Sequence, residues 1–111
     1  MAAKLASTSE DDPADEAWVR TADGERSVRL RSLTQYIKKG GALTEVRLLE
    51  GEAGLWTIWV RLSDRTGEFR LNQFDSDQPK TYKDVALAIA TIRDDFSFYG
   101  TIALSTERRG A

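Results

Sequence analysis

The sequence predicts an α+β domain in which two helices pack on one face of an antiparallel sheet. Two observations lead to this fold class. Apolar and polar residues alternate in three runs between Leu43 and Phe74, as they do in strands with one buried face. Apolar residues then recur at helical spacing from Val85 to Phe96. The expected element order is α-β-β-β-α-β, preceded by a short hairpin.

The hairpin and the first helix are predicted from short local signals. Asp23-Gly24 separates two β-prone runs, and this dipeptide is typical of a hairpin turn. Ser32 and Gln35 have the spacing of a capping box, in which two side chains satisfy the first free amides of a helix. Gly40-Gly41 follow and permit the positive φ that ends a helix. The sequence therefore predicts a short helix over residues 33–39.

The second helix is the clearest element of the sequence. Thr81 and Asp84 have capping-box spacing before its start. Its apolar face should pack on the sheet, and it consists of Val85, Ala88, Ile89, Ile92 and Phe96.

Short turns join three strands, over residues 43–49, 55–62 and 68–74, into an antiparallel meander. A fourth strand is predicted to begin at Phe98, after the second helix. Alternation in that strand turns Tyr99 to the face opposite the helices.

The 111 residues suffice for one domain, and their charges are distributed unevenly. Residues 1–26 hold three basic and seven acidic side chains, whereas the remainder carries a net charge of +2. We therefore expect a disordered acidic segment over residues 1–16, a single α+β domain over 17–106 and a flexible end over 107–111. The sequence has neither a signal pattern nor an apolar run of roughly 18 residues, which predicts a cytoplasmic protein that does not enter a membrane.

Trp59 is the residue that the fold alone does not explain. In the second meander strand, Trp56, Ile58 and Val60 already supply an apolar face, so alternation turns Trp59 to the opposite, polar face. The side chains expected on that face of the sheet are Arg47, Trp59, Arg61, Arg70 and Tyr99.

Three interpretations of this set remain open. Trp, Tyr and Arg are enriched at protein interfaces, which favours a protein partner or a homodimer. The same residues suit nucleic acid, with Trp59 stacking on a base and the arginines contacting phosphate. In the third interpretation the N-terminal hairpin covers Trp59, Trp18 packs against it, and the arginines pair with Glu45 and Glu68 across strands. The low charge of the domain favours protein over nucleic acid.

The chain has no histidine and no cysteine, so the residues used most often in acid–base, nucleophilic and transition-metal chemistry are missing. Asp75 and Asp77 lack the spacing of a calcium loop. We therefore predict a protein that is not an enzyme, with no cofactor, no metal and no small-molecule substrate. Lys80 and Lys83, at the start of the second helix, are a weaker candidate for a phosphate contact.

The stretch from Gly67 to Ile92, "GEFRLNQF…KTYKDVALAIATI", resembles a pattern in small accessory proteins of bacterial plasmids and integrative elements. In that pattern an Arg-containing strand leads into a helix that begins with Lys-Thr-aromatic-x-Asp. The resemblance covers about a quarter of the chain. It implies a bacterial accessory protein of a mobile element, connected with plasmid maintenance, and it brings no catalytic motif.

Overall fold

The computed structural model describes residues 20–22 and 25–107, and in the first two strands it describes side chains only from Arg26 onward. Several sequence predictions lie outside the described residues: the disordered segment over 1–16, the place of Trp18, the Asp23-Gly24 turn and residues 108–111 of the flexible end. The described residues form an α+β domain with one mixed sheet and two helices.

The elements follow in the order β1 (Arg20–Ala22), β2 (Glu25–Arg29), α1 (Leu30–Lys38), β3 (Leu43–Glu50), β4 (Trp56–Leu62), β5 (Arg65–Asn72), α2 (Val85–Ala90), a π-helical turn (Thr91–Asp95) and β6 (Ile102–Thr106). The strands lie in the sheet in the order β1-β2-β5-β4-β3-β6. In the part of the chain that the structure describes, no helix is long and apolar enough to cross a membrane.

The directions of the outer strands correct the predicted antiparallel sheet. β3, β4 and β5 form the expected antiparallel meander, and β1 pairs with β2 as the expected hairpin. However, β2 runs parallel to β5, and β6 runs parallel to β3. The reason is that α1 carries the chain from β2 to β3, and α2 carries it from β5 to β6, past two intervening strands each time. Each crossover carries the chain back to the end of the sheet where the preceding strand began, so β3 runs parallel to β2 and β6 runs parallel to β5. Because β3 and β5 are both antiparallel to β4, β2 is then parallel to β5, and β6 is parallel to β3.

Both helices pack on one face of the sheet, as predicted. Leu33 of α1, and Ala88, Ile92 and Phe96 from α2 and the turn after it, lie in one buried cluster with the inward residues of the strands. The strand members of this cluster are Val28, Leu43, Val46, Leu48, Ile58, Val60, Leu62, Phe69 and Leu71. Each fully buried aliphatic side chain of this cluster adds about 1.5–3 kcal/mol to the stability of the fold. Because both helices pack on this side, neither of them covers the opposite side of the sheet among the described residues. We call that opposite side the outer face.

Helix α1 begins three residues before its predicted start, and the capping box was wrong. Ser32 lies inside the helix, and Arg29 at the N-cap position makes no side-chain capping bond. Instead the amides of Leu30 and Arg31 donate to main-chain carbonyls of the segment after β5, those of Gln73 and Phe74 (3.3 and 3.2 Å). The parallel pairing of β2 with β5 brings this segment to the helix start, so the cap comes from distant residues.

Helix α2 also has a different cap from the predicted one. The Asp84 carboxylate accepts a hydrogen bond from the Ala86 amide (2.9 Å), so Asp84 is the N-cap and Thr81 lies outside the helix. The predicted apolar face is confirmed, with Val85 and Ile89 partly buried against the cluster. The last part of the predicted helix is a π-helical turn.

The fourth predicted strand, β6, begins at Ile102 instead of Phe98. A loop precedes it because the Arg93 guanidinium donates to the carbonyls of Phe98 and Gly100 (2.9 and 3.0 Å) and holds this segment against the end of the π-helical turn. Ser97 adopts a positive φ of 54° in the same loop. Tyr99 therefore lies in a loop and not on the sheet, where it is 74% exposed.

Candidate functional site

The outer face brings Arg47, Trp59 and Arg70 together in one row across three strands. Arg47 of β3 is the register partner of Trp59 of β4, and Trp59 is the partner of Arg70 of β5. Residues paired in this way on one face have adjacent side chains. The strand register thus places four of the expected residues on the outer face: Arg47, Trp59, Arg61 and Arg70. Tyr99 lies elsewhere.

Arg47 covers one face of the Trp59 ring. Its guanidinium carbon lies 5.4 Å from the ring centroid, within the range of a cation–π contact. The same guanidinium donates two hydrogen bonds to the carboxylate of Glu68 on β5, from Nε (3.0 Å) and Nη2 (2.9 Å). The hydrogen bonds and the charge of Glu68 raise the pKa of Arg47, and partial burial opposes this rise. Arg47 is therefore held in place from two sides.

The polar edge of the indole is satisfied within β4. Trp59 Nε1 donates to the hydroxyl of Thr57 (3.0 Å). That hydroxyl in turn lies 3.4 Å from the Leu49 carbonyl of β3, to which it donates. Trp59 itself is partly buried. The ring thus has a fixed orientation before any partner binds.

Arg61 and Glu45 form a second, looser pair beside this row. They are register partners on β4 and β3, and Arg61 Nε lies 3.4 Å from Glu45 Oε1. Their side chains are 47% and 73% exposed, so water screens the pair. The third sequence interpretation expected the arginines to pair with Glu45 and Glu68 across strands, and Arg61 and Arg47 do so.

Asn72 is a further member of the outer face that the sequence analysis did not single out. It lies on the outer face at the end of β5 but is fully buried. Its side-chain oxygen accepts a hydrogen bond from Arg70 Nε (3.2 Å), and its amide donates to the Ser27 hydroxyl of β2 (2.9 Å). The sequence carries no signal for this burial, because it depends on the parallel pairing of β2 with β5.

The N-terminal hairpin extends the sheet beside β5 and does not lie over Trp59 as far as its described residues go. This differs from the third sequence interpretation, in which the hairpin covers the ring. Trp18, the other half of that interpretation, lies outside the described residues.

Lys80 and Lys83 line a shallow groove of about 510 Å³ between the loop before α2 and the helix itself. Lys80 Nζ lies 5.3 Å from the ring centroid of Tyr82. Asp94 and Asp95 line the same groove, so two carboxylates balance the two lysines. The phosphate contact stays a prediction, and these carboxylates weaken its electrostatic basis.

Asp75 and Asp77 bind arginines of the chain. Asp77 accepts a hydrogen bond from Arg29 Nε (3.0 Å), and Asp75 forms ion pairs with Arg29 and Arg31. The hydrogen bond that Arg29 donates to Asp77 raises the pKa of Arg29. No group of side chains suited to a metal ion occurs among the residues that the structure describes.

Comparison of the chain with protein-family models, with curated proteins and with solved structures finds no match.

Proposed function

We propose that this chain is a non-enzymatic interaction module that binds a protein partner through the outer face of its sheet. The observation that carries the proposal is the arrangement of Trp59 and Arg47 at the centre of a face on which neither helix packs. Trp and Arg are the residues that contribute most to binding energy at protein interfaces, and they do so near the centre of the contact.

The fixed conformation of these side chains supports the proposal. Arg47 is fixed by Glu68 and by the indole ring, and the indole N–H of Trp59 is fixed by its hydrogen bond to Thr57. Immobilising a long side chain on binding costs about 0.5–1.5 kcal/mol. Here these side chains have already lost part of that freedom in the folded protein, so the face is preorganised for a partner.

The charges favour protein over nucleic acid. On β3, β4 and β5 the outer face carries Arg47, Arg61 and Arg70, but two of these three arginines pair with Glu68 and Glu45. A nucleic-acid surface needs arginines that neutralise several phosphates. Moreover, Arg47 already covers one face of the Trp59 ring, which leaves that face unavailable to a stacking base. A protein surface with an apolar centre and a few carboxylates at its rim is the better complement.

Affinity capture from extracts of the source cells, followed by titration of the purified partner, tests the proposal. Trp59→Ala should lower the affinity by tenfold or more while the protein stays folded, since loss of a central anchor costs about 2 kcal/mol or more. Leu87→Ala is the matched control, because Leu87 is exposed on α2, on the helix side of the sheet. Equal binding by wild type and Trp59→Ala would refute the proposal.

The alternative is a nucleic-acid-binding accessory protein of a bacterial mobile element that uses the same face. Labelled single- and double-stranded oligonucleotides, titrated at about 50 and about 200 mM salt, distinguish the two. Binding that depends on Trp59 and weakens steeply with salt would establish the alternative in place of a protein partner. The resemblance of residues 67–92 to mobile-element accessory proteins is compatible with either.

A further inference from the structure

β6 forms one end of the sheet, so only one of its two edges has a neighbouring strand among the described residues. The Glu107 amide donates to the Glu50 carbonyl of β3 (2.8 Å), which fixes the direction of the peptide groups. Successive residues of a strand point their amide and carbonyl to opposite sides. Consequently the main-chain amides and carbonyls of Ala103 and Ser105 face β3, whereas those of Ile102 and Leu104 face the open edge.

This edge lacks the features that keep sheet edges apart. Natural edge strands are protected by charged side chains, by proline or by being very short. No charged residue and no proline occurs from Phe96 to Thr106. Leu104 adds an apolar side chain that is 58% exposed. The other end of the sheet, β1, is only three residues long.

We propose that β6 of a second copy of this chain pairs with this edge, antiparallel and around a two-fold axis at Ala103. In that register Ile102 faces Leu104 of the second copy, and each such pair exchanges two main-chain hydrogen bonds. Ala103 faces Ala103 of the second copy as a non-hydrogen-bonded pair, where Cα atoms approach to about 4.5 Å. The small alanine side chain permits that approach.

Around this axis, the side chains of one copy are complementary to those of the second copy. Leu104 has Leu48 of β3 as its register partner, so it lies on the helix side of the sheet, as Ile102 does. The two-fold axis therefore places the exposed Leu104 beside Ile102 of the second copy. Ser105 faces Thr101 of the second copy, and no like charges meet. An arbitrary partner strand need not offer this match, which is why we assign a second copy as the occupant.

The pairing closes with two copies, because a two-fold contact uses the same edge of each chain. Strands this short bury less than about 1,200 Å² in total, the lower limit of stable interfaces. The dimer should therefore be weak and should depend on protein concentration. It is independent of the outer face, since Trp59 lies two strands away on β4.

Sedimentation velocity over a wide concentration range tests the proposal. The average mass of the wild type should rise from that of one chain toward that of two. Leu104→Lys should keep the protein monomeric, because it places a charge at the edge. Leu87→Lys is the matched control: Leu87 is 59% exposed, nearly the same fraction as Leu104, and its substitution should leave the dimer intact. A wild type that remains monomeric throughout, or a dimer that survives in Leu104→Lys, would overturn the proposal.

Disulfide cross-linking tests the register. The natural chain has no cysteine, so Ala103→Cys introduces a single thiol. At the two-fold axis this thiol should oxidise rapidly to a dimer, since the Cα separation fits a disulfide. Ser105→Cys should cross-link at least tenfold more slowly, because position 105 faces Thr101 and not itself. Equal rates would contradict the register. A dimer abolished by Trp59→Ala but kept in Leu104→Lys would instead assign self-association to the outer face.

Discussion

Arg47 reaches across the ring of Trp59 to the carboxylate of Glu68, and so one side chain connects β3, β4 and β5 on the outer face. The contact is bidentate, and it runs diagonally, since the register partner of Glu68 is Arg61. A planar guanidinium can bind a carboxylate with two donors while it stacks on an aromatic ring. The conformation of Trp59, the centre of the proposed interface, therefore depends on a residue of each neighbouring strand.

A double-mutant cycle of Arg47→Ala and Glu68→Gln should give a coupling energy of about 0.5–1 kcal/mol, because both side chains are about 30% exposed and water screens part of the attraction. Denaturant unfolding of the four proteins measures it. Arg47→Lys should lose most of this coupling, since a lysine offers no planar fork. Full stability in Arg47→Lys would show that charge alone is sufficient.

Asn72→Ala should lower the free energy of unfolding by about 1–3 kcal/mol. Asn72 is fully buried and joins Arg70 to Ser27, so its removal leaves polar groups of the outer face without this partner. Gln73→Ala, one residue further along and exposed, serves as the control and should change stability by less than about 0.5 kcal/mol. Equal effects at the two positions would contradict the role assigned to Asn72.

The extent to which the sequence predicted the fold depended on how local each signal was. Alternation located the three central strands, and helical spacing located the apolar face of α2, because burial on one face imposes those periods directly. The sequence did not predict the parallel pairing of β2 with β5, which sets neighbours 43 residues apart, as between Ser27 and Arg70. The cap of α1 and the burial of Asn72 both depend on that pairing, so the sequence predicted the wrong cap and gave no indication of the burial.

The candidate site was partly predictable for the same reason. Arg47, Trp59, Arg61 and Arg70 face outward by alternation alone. Tyr99 was misplaced because Arg93 holds the preceding loop through main-chain carbonyls, a contact that no periodicity reveals. Glu68 was named as a cross-strand partner of the arginines, and the structure identifies that arginine as Arg47. Thr57 was not singled out; it lies two residues before Trp59 on the same face of β4, which is the signal that identifies it.

Gly41→Ala should destabilise the protein through Tyr36. A Cβ at Gly41 would overlap the Tyr36 ring, whose hydroxyl donates to Asp64 (2.6 Å) in the turn between β4 and β5. Overpacking of this kind costs about 1–3 kcal/mol. Gly40→Ala should cost about 1–2 kcal/mol for a different reason, since Gly40 has a φ of 103° and open space around it.

Tyr36→Ala separates the two mechanisms. Combined with Gly41→Ala, it should remove most of the added cost, because the overlapping ring is gone. Combined with Gly40→Ala, it should change nothing beyond the sum of the single effects. Thermal or denaturant unfolding of the single and double variants measures both, and additive behaviour at Gly41 would contradict the overlap.

Tyr82 should make stability fall at alkaline pH. Burial raises its pKa above the ordinary value of 10.0; the hydrogen bond to Thr91 lowers it and the charge of Asp95 raises it further, and the net shift is upward. Below pH 10.0 both the folded and the unfolded chain keep the phenol proton. Above that value the unfolded chain loses it first, so the free energy of unfolding decreases as the pH rises toward the raised pKa.

Tyr82→Phe isolates this contribution. At neutral pH the variant should be less stable than the wild type by about 1 kcal/mol, because the Tyr82 hydroxyl donates to Thr91 Oγ1 (3.1 Å). As the pH rises above 10.0, the gap in free energy of unfolding between wild type and variant should narrow. Ionisation of Tyr82 in the unfolded chain destabilises the folded wild type, whereas phenylalanine has no proton to lose. Urea unfolding on both sides of pH 10.0 measures these differences, and a constant or widening gap between wild type and Tyr82→Phe would show that burial does not hold the proton on Tyr82.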